Sequence, residues 1–92
     1  MTTTWKQTER AIARRLEGQR IGCTGQATPD VVTDSLSIEV KHRDQLPQWL
    51  MAAMAQAVTN APAGKLPVLI LHQSGQRHGN DLVVLRLADF GR

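Results

Sequence analysis

Ninety-two residues make a chain the size of one domain, and 41% hydrophobic with 21% charged residues is the balance of a globular protein rather than a disordered one. No apolar run approaches the ~18 residues of a membrane span, the N-terminus lacks a basic, apolar leader, and the one cysteine, Cys23, excludes an intrachain disulfide or a thiol metal cluster. Eleven Lys and Arg against eight Asp and Glu give +3, so the chain reads as a single cytoplasmic domain, residues 1–92, with a basic surface suited to a polyanion.

A first helix is predicted over residues 5–17, capped by Thr3 or Thr4 and stopped by Gly18. At ~100° per residue, Trp5, Ile12 and Leu16 fall on one arc, with Arg10 and Arg14 opposite. Glu9 lies about 40° from Trp5, inside the apolar stripe. Short strands are expected over 20–24 and 29–33, then a third over 36–41. The third alternates: Leu36, Ile38 and Val40 point one way, Ser37, Glu39 and Lys41 the other.

Pro47 opens a second helix as its first residue, running to about Asn60 before Pro62 and Gly64. This helix is apolar nearly all round and is expected to be largely buried. Trp5 and Trp49 are both assigned to the core, and Cys23 is read as a small buried hydrophobe. Residues 68–72 form a continuous apolar strand of the kind found in a sheet covered on both faces. A polar loop over 73–80, a last strand over 82–87 and a short tail complete the chain. The order αβββαββ predicts an α/β fold, a mixed five-stranded sheet flanked by helices.

The chemistry concentrates around the second and third strands. A tight turn at Asp34-Ser35 makes facing residues sum to 69, which sets Asp30 opposite Glu39. Opposed residues have Cβ atoms ~4.5–5.5 Å apart, so two like charges there destabilise the sheet unless something compensates. A divalent cation with oxygen ligands does so, and Mg²⁺ is commonly held by one or two carboxylates. Lys41, two residues beyond Glu39, projects from the same face and is placed to position a water or to balance transition-state charge. Glu9 on its buried stripe needs a partner, because an unpaired buried carboxylate costs several kcal/mol. The metal site is one candidate.

Pro29-Asp30 followed by Glu39-Val40-Lys41, with Glu9 on the preceding helix, resembles the PD-(D/E)xK nuclease superfamily, and the likeness of element order covers nearly the whole chain. Within it the chain looks most like the small Holliday junction resolvases of archaea and phages. The resemblance implies a restriction-endonuclease-like core and a homodimer that cuts branched DNA. It implies that Glu9, Asp30 and Glu39 serve Mg²⁺, with Mn²⁺ as a substitute, and that Lys41 is catalytic. Related nucleases of the VRR-NUC type often carry a glutamine on the following helix, a place that Gln56 matches. The hairpin from Asp30 to Glu39 is short for the superfamily. The loop before Pro29 carries Thr24 and Thr28 where resolvases often have serine.

Expected DNA contacts are Arg10, Arg14, Arg20, Thr24, Thr28, His42, Arg43 and Arg77, dominated by cations that neutralise phosphate. His42, His72 and His78 show no metal-ligand spacing in the sequence and are set aside as ligands. Two alternatives stand beside the resolvase. One is another structure-specific or nicking nuclease, and the other is a non-catalytic DNA-binding module on the same fold.

Overall fold

In the computed structural model, residues 4–22 and 25–91 are described; Cys23 and Thr24, like residues 1–3 and 92, lie outside that range. The expected burial of Cys23 and the Thr24 contact therefore fall outside the described residues. The chain divides into two compact units, residues 1–44 and 45–92, and each has its own small sheet. The fold is mixed α/β, with two α-helices and two antiparallel sheets of three and two strands. No helix among the described residues is long and apolar enough to cross a membrane.

In the first unit, α1 (Trp5–Arg15) begins on a capping box. Thr4 Oγ1 accepts from the Gln7 amide at 3.2 Å, and Gln7 Oε1 accepts from the Thr4 amide at 2.8 Å. Two donors that the helix leaves open are thereby satisfied. The helix is two residues shorter than predicted, and its stop uses a different residue from the expected Gly18. The Gly18 N–H donates to Ala13 at 2.7 Å and the Glu17 N–H to Arg14 at 3.4 Å, the two bonds of a Schellman ending. In that ending Glu17, not a glycine, takes the left-handed position, with φ 55°. Glu17→Gly is therefore expected to stabilise the protein by about 0.5–1 kcal/mol, because a side chain there costs ~1–2 kcal/mol and glycine gives part of that back in chain entropy. Urea titration of the two proteins measures it.

Three strands of two residues each follow: β1 (Gln19–Arg20), β2 (Val31–Val32) and β3 (Ser37–Ile38), in the order β1-β2-β3. Val31 pairs with Ile38 and Val32 with Ser37, the register expected from the Asp34-Ser35 turn. Thr33 closes that turn: its hydroxyl accepts from the Ser35 and Leu36 amides at 3.2 and 3.0 Å. All three strands are shorter than predicted. The ladder ends at Ile38, and the next inward-facing amide, that of Val40, goes to the Asp30 side chain instead of to backbone.

In the second unit, α2 (Gln48–Asn60) starts one residue after Pro47, which is its N-cap, and ends at Ala61. Next come β4 (Leu69–Leu71), a single 3-10 turn at His78–Asn80, and β5 (Leu82–Val84). β4 and β5 pair antiparallel, Leu69 with Val84, Ile70 with Val83 and Leu71 with Leu82. One mixed five-stranded sheet is thus not what the described residues form.

The predicted burial of the helices needs correction. Trp5 is 51% and Trp49 61% exposed, so neither is a core residue. Only Glu9 and Ala13 of α1, and only Met54 of α2, are buried. The reason is length. Helices of 11 and 13 residues span roughly 16 and 20 Å, while strands of two or three residues span about 7–10 Å. A sheet that short covers the middle of each apolar stripe and leaves its ends open. Nor is β4 covered on both faces: the paired Ile70 and Val83 are 54% and 61% exposed. Among the described residues, the side chain buried most completely is Val31, at 0% exposure, in the middle strand of the first sheet.

Candidate metal and phosphate site

Asp30 directly precedes β2 and is held from three directions. Its amide donates to the Ile38 carbonyl at 2.9 Å, its carbonyl accepts from the Ile21 amide at 2.9 Å, and its Oδ2 accepts from the Val40 amide at 2.7 Å. That last bond lowers the Asp30 pKa, helped by a hydrogen bond shared with Glu39 and by the charges of Lys41 and Arg20. Glu39 shifts the other way. The hydrogen bond with Asp30 and then its negative charge raise the Glu39 pKa, and the Glu9 charge adds to this. The ladder stops at Val31 and Ile38, one step short of the expected facing pair, and the two carboxyls interact beyond its end.

Lys41 Nζ stands 3.9 Å from Glu39 Oε1, and both side chains are mostly exposed. Glu9, 6% exposed, is paired: Arg20 Nε donates to its Oε1 at 2.8 Å, tying α1 to β1. The partner that the buried Glu9 needs is therefore present in the chain itself, and one of the expected phosphate contacts, Arg20, supplies it. Glu9 nonetheless stays close enough to Glu39 for its charge to be felt there. Thr8 Oγ1 lies 2.8 Å from His42 Nδ1, which ties α1 to the segment just beyond Lys41.

These residues gather around one surface depression, lined by Trp5, Glu9, Asp30, Glu39, Lys41 and their neighbours Val40, His42 and Arg43. A neighbouring depression shares Trp5, Glu9 and Asp30 and adds Arg20 and Thr28. Of the expected DNA contacts, Arg10 and Arg14 are exposed on α1 and Arg77 is exposed in the second unit; Gln56, expected as a catalytic residue, is exposed on α2 and is not among the residues lining either depression. Trp5 was missed as a site residue. It lies at the rim of both depressions, with Lys6 Nζ 5.4 Å and the Arg20 guanidinium 6.0 Å from its ring. Its place at the first turn of α1, beyond the reach of so short a sheet, was the available signal.

A second cluster contains two of the histidines set aside as ligands, His72 and His78, together with Asp81. His72 Nδ1 lies 2.6 Å from Asp81 Oδ1, and His78 Nδ1 lies 3.1 Å from Asp81 Oδ2. Spacing along the chain hid it, because the β4–β5 pairing brings its members together.

No family model, curated protein or solved structure matches the chain. The site is therefore read on its own chemistry. Asp30 and Glu39 present interacting carboxylates, an all-oxygen donor set of the kind that Mg²⁺ and Mn²⁺ take. A cation would offset the repulsion that raises the Glu39 pKa, so the residues fit such an ion.

The signs of the two shifts make a stability prediction. Asp30, with its pKa lowered, contributes stability that is present above its unfolded value near 3.8 and is lost as pH falls through its folded value. Glu39, with its pKa raised, favours the fold fully below its unfolded value near 4.5, and that contribution is lost as pH rises through its folded value. Without metal, Glu39→Gln is therefore expected to melt higher than wild type at pH 7, with the difference closing as pH falls through the raised Glu39 value and gone below about 4.5. Asp30→Asn, which weakens the acceptor for Val40, is not expected to share the gain. Thermal melts of the three proteins in EDTA across pH 3–8 test this, and equal melting points at pH 7 would remove the repulsion.

Proposed function

We propose that this chain is a Mg²⁺-dependent endonuclease that hydrolyses phosphodiester bonds of branched DNA in the manner of a Holliday junction resolvase. The observation that carries the reading is the contact of Asp30 with Glu39, with Lys41 beside them and Glu9 behind, in one depression. The fold class that goes with it is a restriction-endonuclease-like α/β core. The same reading gives a cytoplasmic homodimer, since a symmetric pair of cuts needs two sites and each chain holds one such cluster.

Asp30 and Glu39 would hold the ion, and Glu9 would order a water or ligand from the α1 side. When bound, Mg²⁺ supplies charge to polarise the scissile phosphate and to lower the pKa of a coordinated water. Asp30 keeps its charge and orientation through the Val40 amide, so one ligand oxygen is pre-set. Both carboxyls must be ionised to hold a dication, so Mg²⁺ affinity is expected to rise with pH through the raised Glu39 value. Lys41 is exposed and carries no buried structural duty, so its charge is available to the attacking water and to the developing negative charge on phosphate. Arg10, Arg14, Thr28, His42 and Arg43 would track the DNA backbone.

A labelled four-way junction, incubated beside linear duplex, flap and single-stranded DNA with Mg²⁺, Mn²⁺ or EDTA, tests the proposal. Metal-dependent, symmetric nicks confined to the junction are the expected result. Cleavage spread over the other substrates would keep the nuclease and discard the resolvase. EDTA-insensitive binding without cleavage by folded protein would replace both with a DNA-binding module.

A further inference from the structure

The β4–β5 hairpin carries a second set of ligand-type side chains, unrelated to the carboxylates of the first unit. Leu71 pairs with Leu82, so the residues just outside that pair, His72 and Asp81, face each other at the mouth of the loop. His78 sits in the 3-10 turn that ends on Asp81, whose amide donates to the His78 carbonyl at 3.0 Å. The two imidazoles converge on the two oxygens of one carboxylate, at 2.6 and 3.1 Å, with ring centroids 4.5 Å apart. One ligand atom from each of the three residues lies within 4.8 Å of the others.

We propose that His72, His78 and Asp81 form a binding site for a divalent transition-metal ion of the zinc class. The donor set decides the class. Two imidazole nitrogens with one carboxylate suit borderline ions such as Zn²⁺, whereas Asp30 and Glu39 offer oxygen alone and suit Mg²⁺ or Mn²⁺. Ligands at ~2.0–2.2 Å from a tetrahedral ion stand roughly 3.3–3.5 Å apart. The nitrogen–oxygen separations already present are within an ångström of that. The adjustment falls on His78, whose side chain is 85% exposed, while Asp81 is 14% exposed and fixed at the start of β5. Three protein ligands leave a fourth position for water. The bound ion would close the loop over residues 73–80 at both ends and fix the segment that carries Arg77.

The test uses the full chain and Zn²⁺ alone, in competition with a chromophoric chelator, together with thermal melts with and without Zn²⁺. One Zn²⁺ per chain is expected, with a raised melting midpoint, undisturbed by excess Mg²⁺. His78→Ala alters an exposed side chain, so it should fold as wild type and bind Zn²⁺ at least ~10–100-fold more weakly. Asp81→Asn should do the same, and His42→Ala should not. Zinc binding unchanged in His78→Ala, or no zinc retained by wild type at tens of micromolar, overturns the site. Neither result bears on Asp30 and Glu39, whose reading is tested by junction cleavage.

Discussion

Lys41→Ala is expected to slow DNA cleavage by about 10²–10³-fold while leaving the fold and DNA affinity in place. The lysine side chain is 68% exposed, and its one ion pair, to Glu39 at 3.9 Å, lies in solvent. Exposed pairs of that kind add little to stability, so the variant should melt as wild type does. Its charge matters only where negative charge develops, beside the two carboxylates. The loss should therefore fall on kcat, with junction binding in EDTA changed less than about twofold, since one cation among many phosphate contacts is removed. Single-turnover cleavage of a labelled junction measures the first and a gel-shift titration the second. Wild-type turnover would take Lys41 out of the reaction. A parallel collapse of binding would make it a DNA contact instead.

Gly18→Ala is expected to be the most damaging small substitution in the first unit, lowering stability by about 1–2.5 kcal/mol, or roughly 4–20 °C in melting temperature. Replacing glycine by alanine normally helps by reducing the freedom of the unfolded chain, by about 0.4–1 kcal/mol. Here the added Cβ would stand 2.7 Å from the Val32 carbonyl oxygen, 2.9 Å from Thr33 Cγ2 and 3.1 Å from Val31 Cγ1. The first of these is backbone of the central strand, which pairs on both sides and cannot yield without disturbing both ladders. The second neighbour is the threonine that closes the Asp34-Ser35 turn. The repulsion therefore outweighs the entropy gain. A melting point at or above wild type would show that α1 and β2 approach less closely than this.

The contrast between neighbours 17 and 18 shows what was legible in the sequence. Gly18 was read as a helix stop, which located the end of α1 to within two residues but gave the wrong cause. Its lack of a side chain serves the approach to Val32, and the left-handed residue is Glu17. The register of β2 and β3 was legible because a two-residue turn allows only one symmetric pairing, but the ladder stops one step short of Asp30 and Glu39, whose interaction lies beyond it. The need of Glu9 for a partner was legible from its place on the apolar stripe, whereas the identity of that partner, Arg20, depends on how α1 lies on β1. The burial of Trp5 and Trp49 was misjudged because periodicity reports which face is apolar and not how much sheet exists to cover it. The histidines of the β4–β5 loop were illegible for a related reason: their meeting is set by strand pairing, and the sequence interval between them carries no sign of it.

The hydrogen bond from Val40 to Asp30 makes one backbone amide a reporter for the whole cluster. An amide proton aimed at a carboxylate oxygen at 2.7 Å senses any change in that oxygen's electron density. Protonation, capture of a cation or approach of a phosphate would each shift its resonance, and the three would differ in direction or in exchange rate. The signal needs no mutation and no label beyond ¹⁵N. Because Val40 lies between Glu39 and Lys41, it registers events at either side chain without taking part in them.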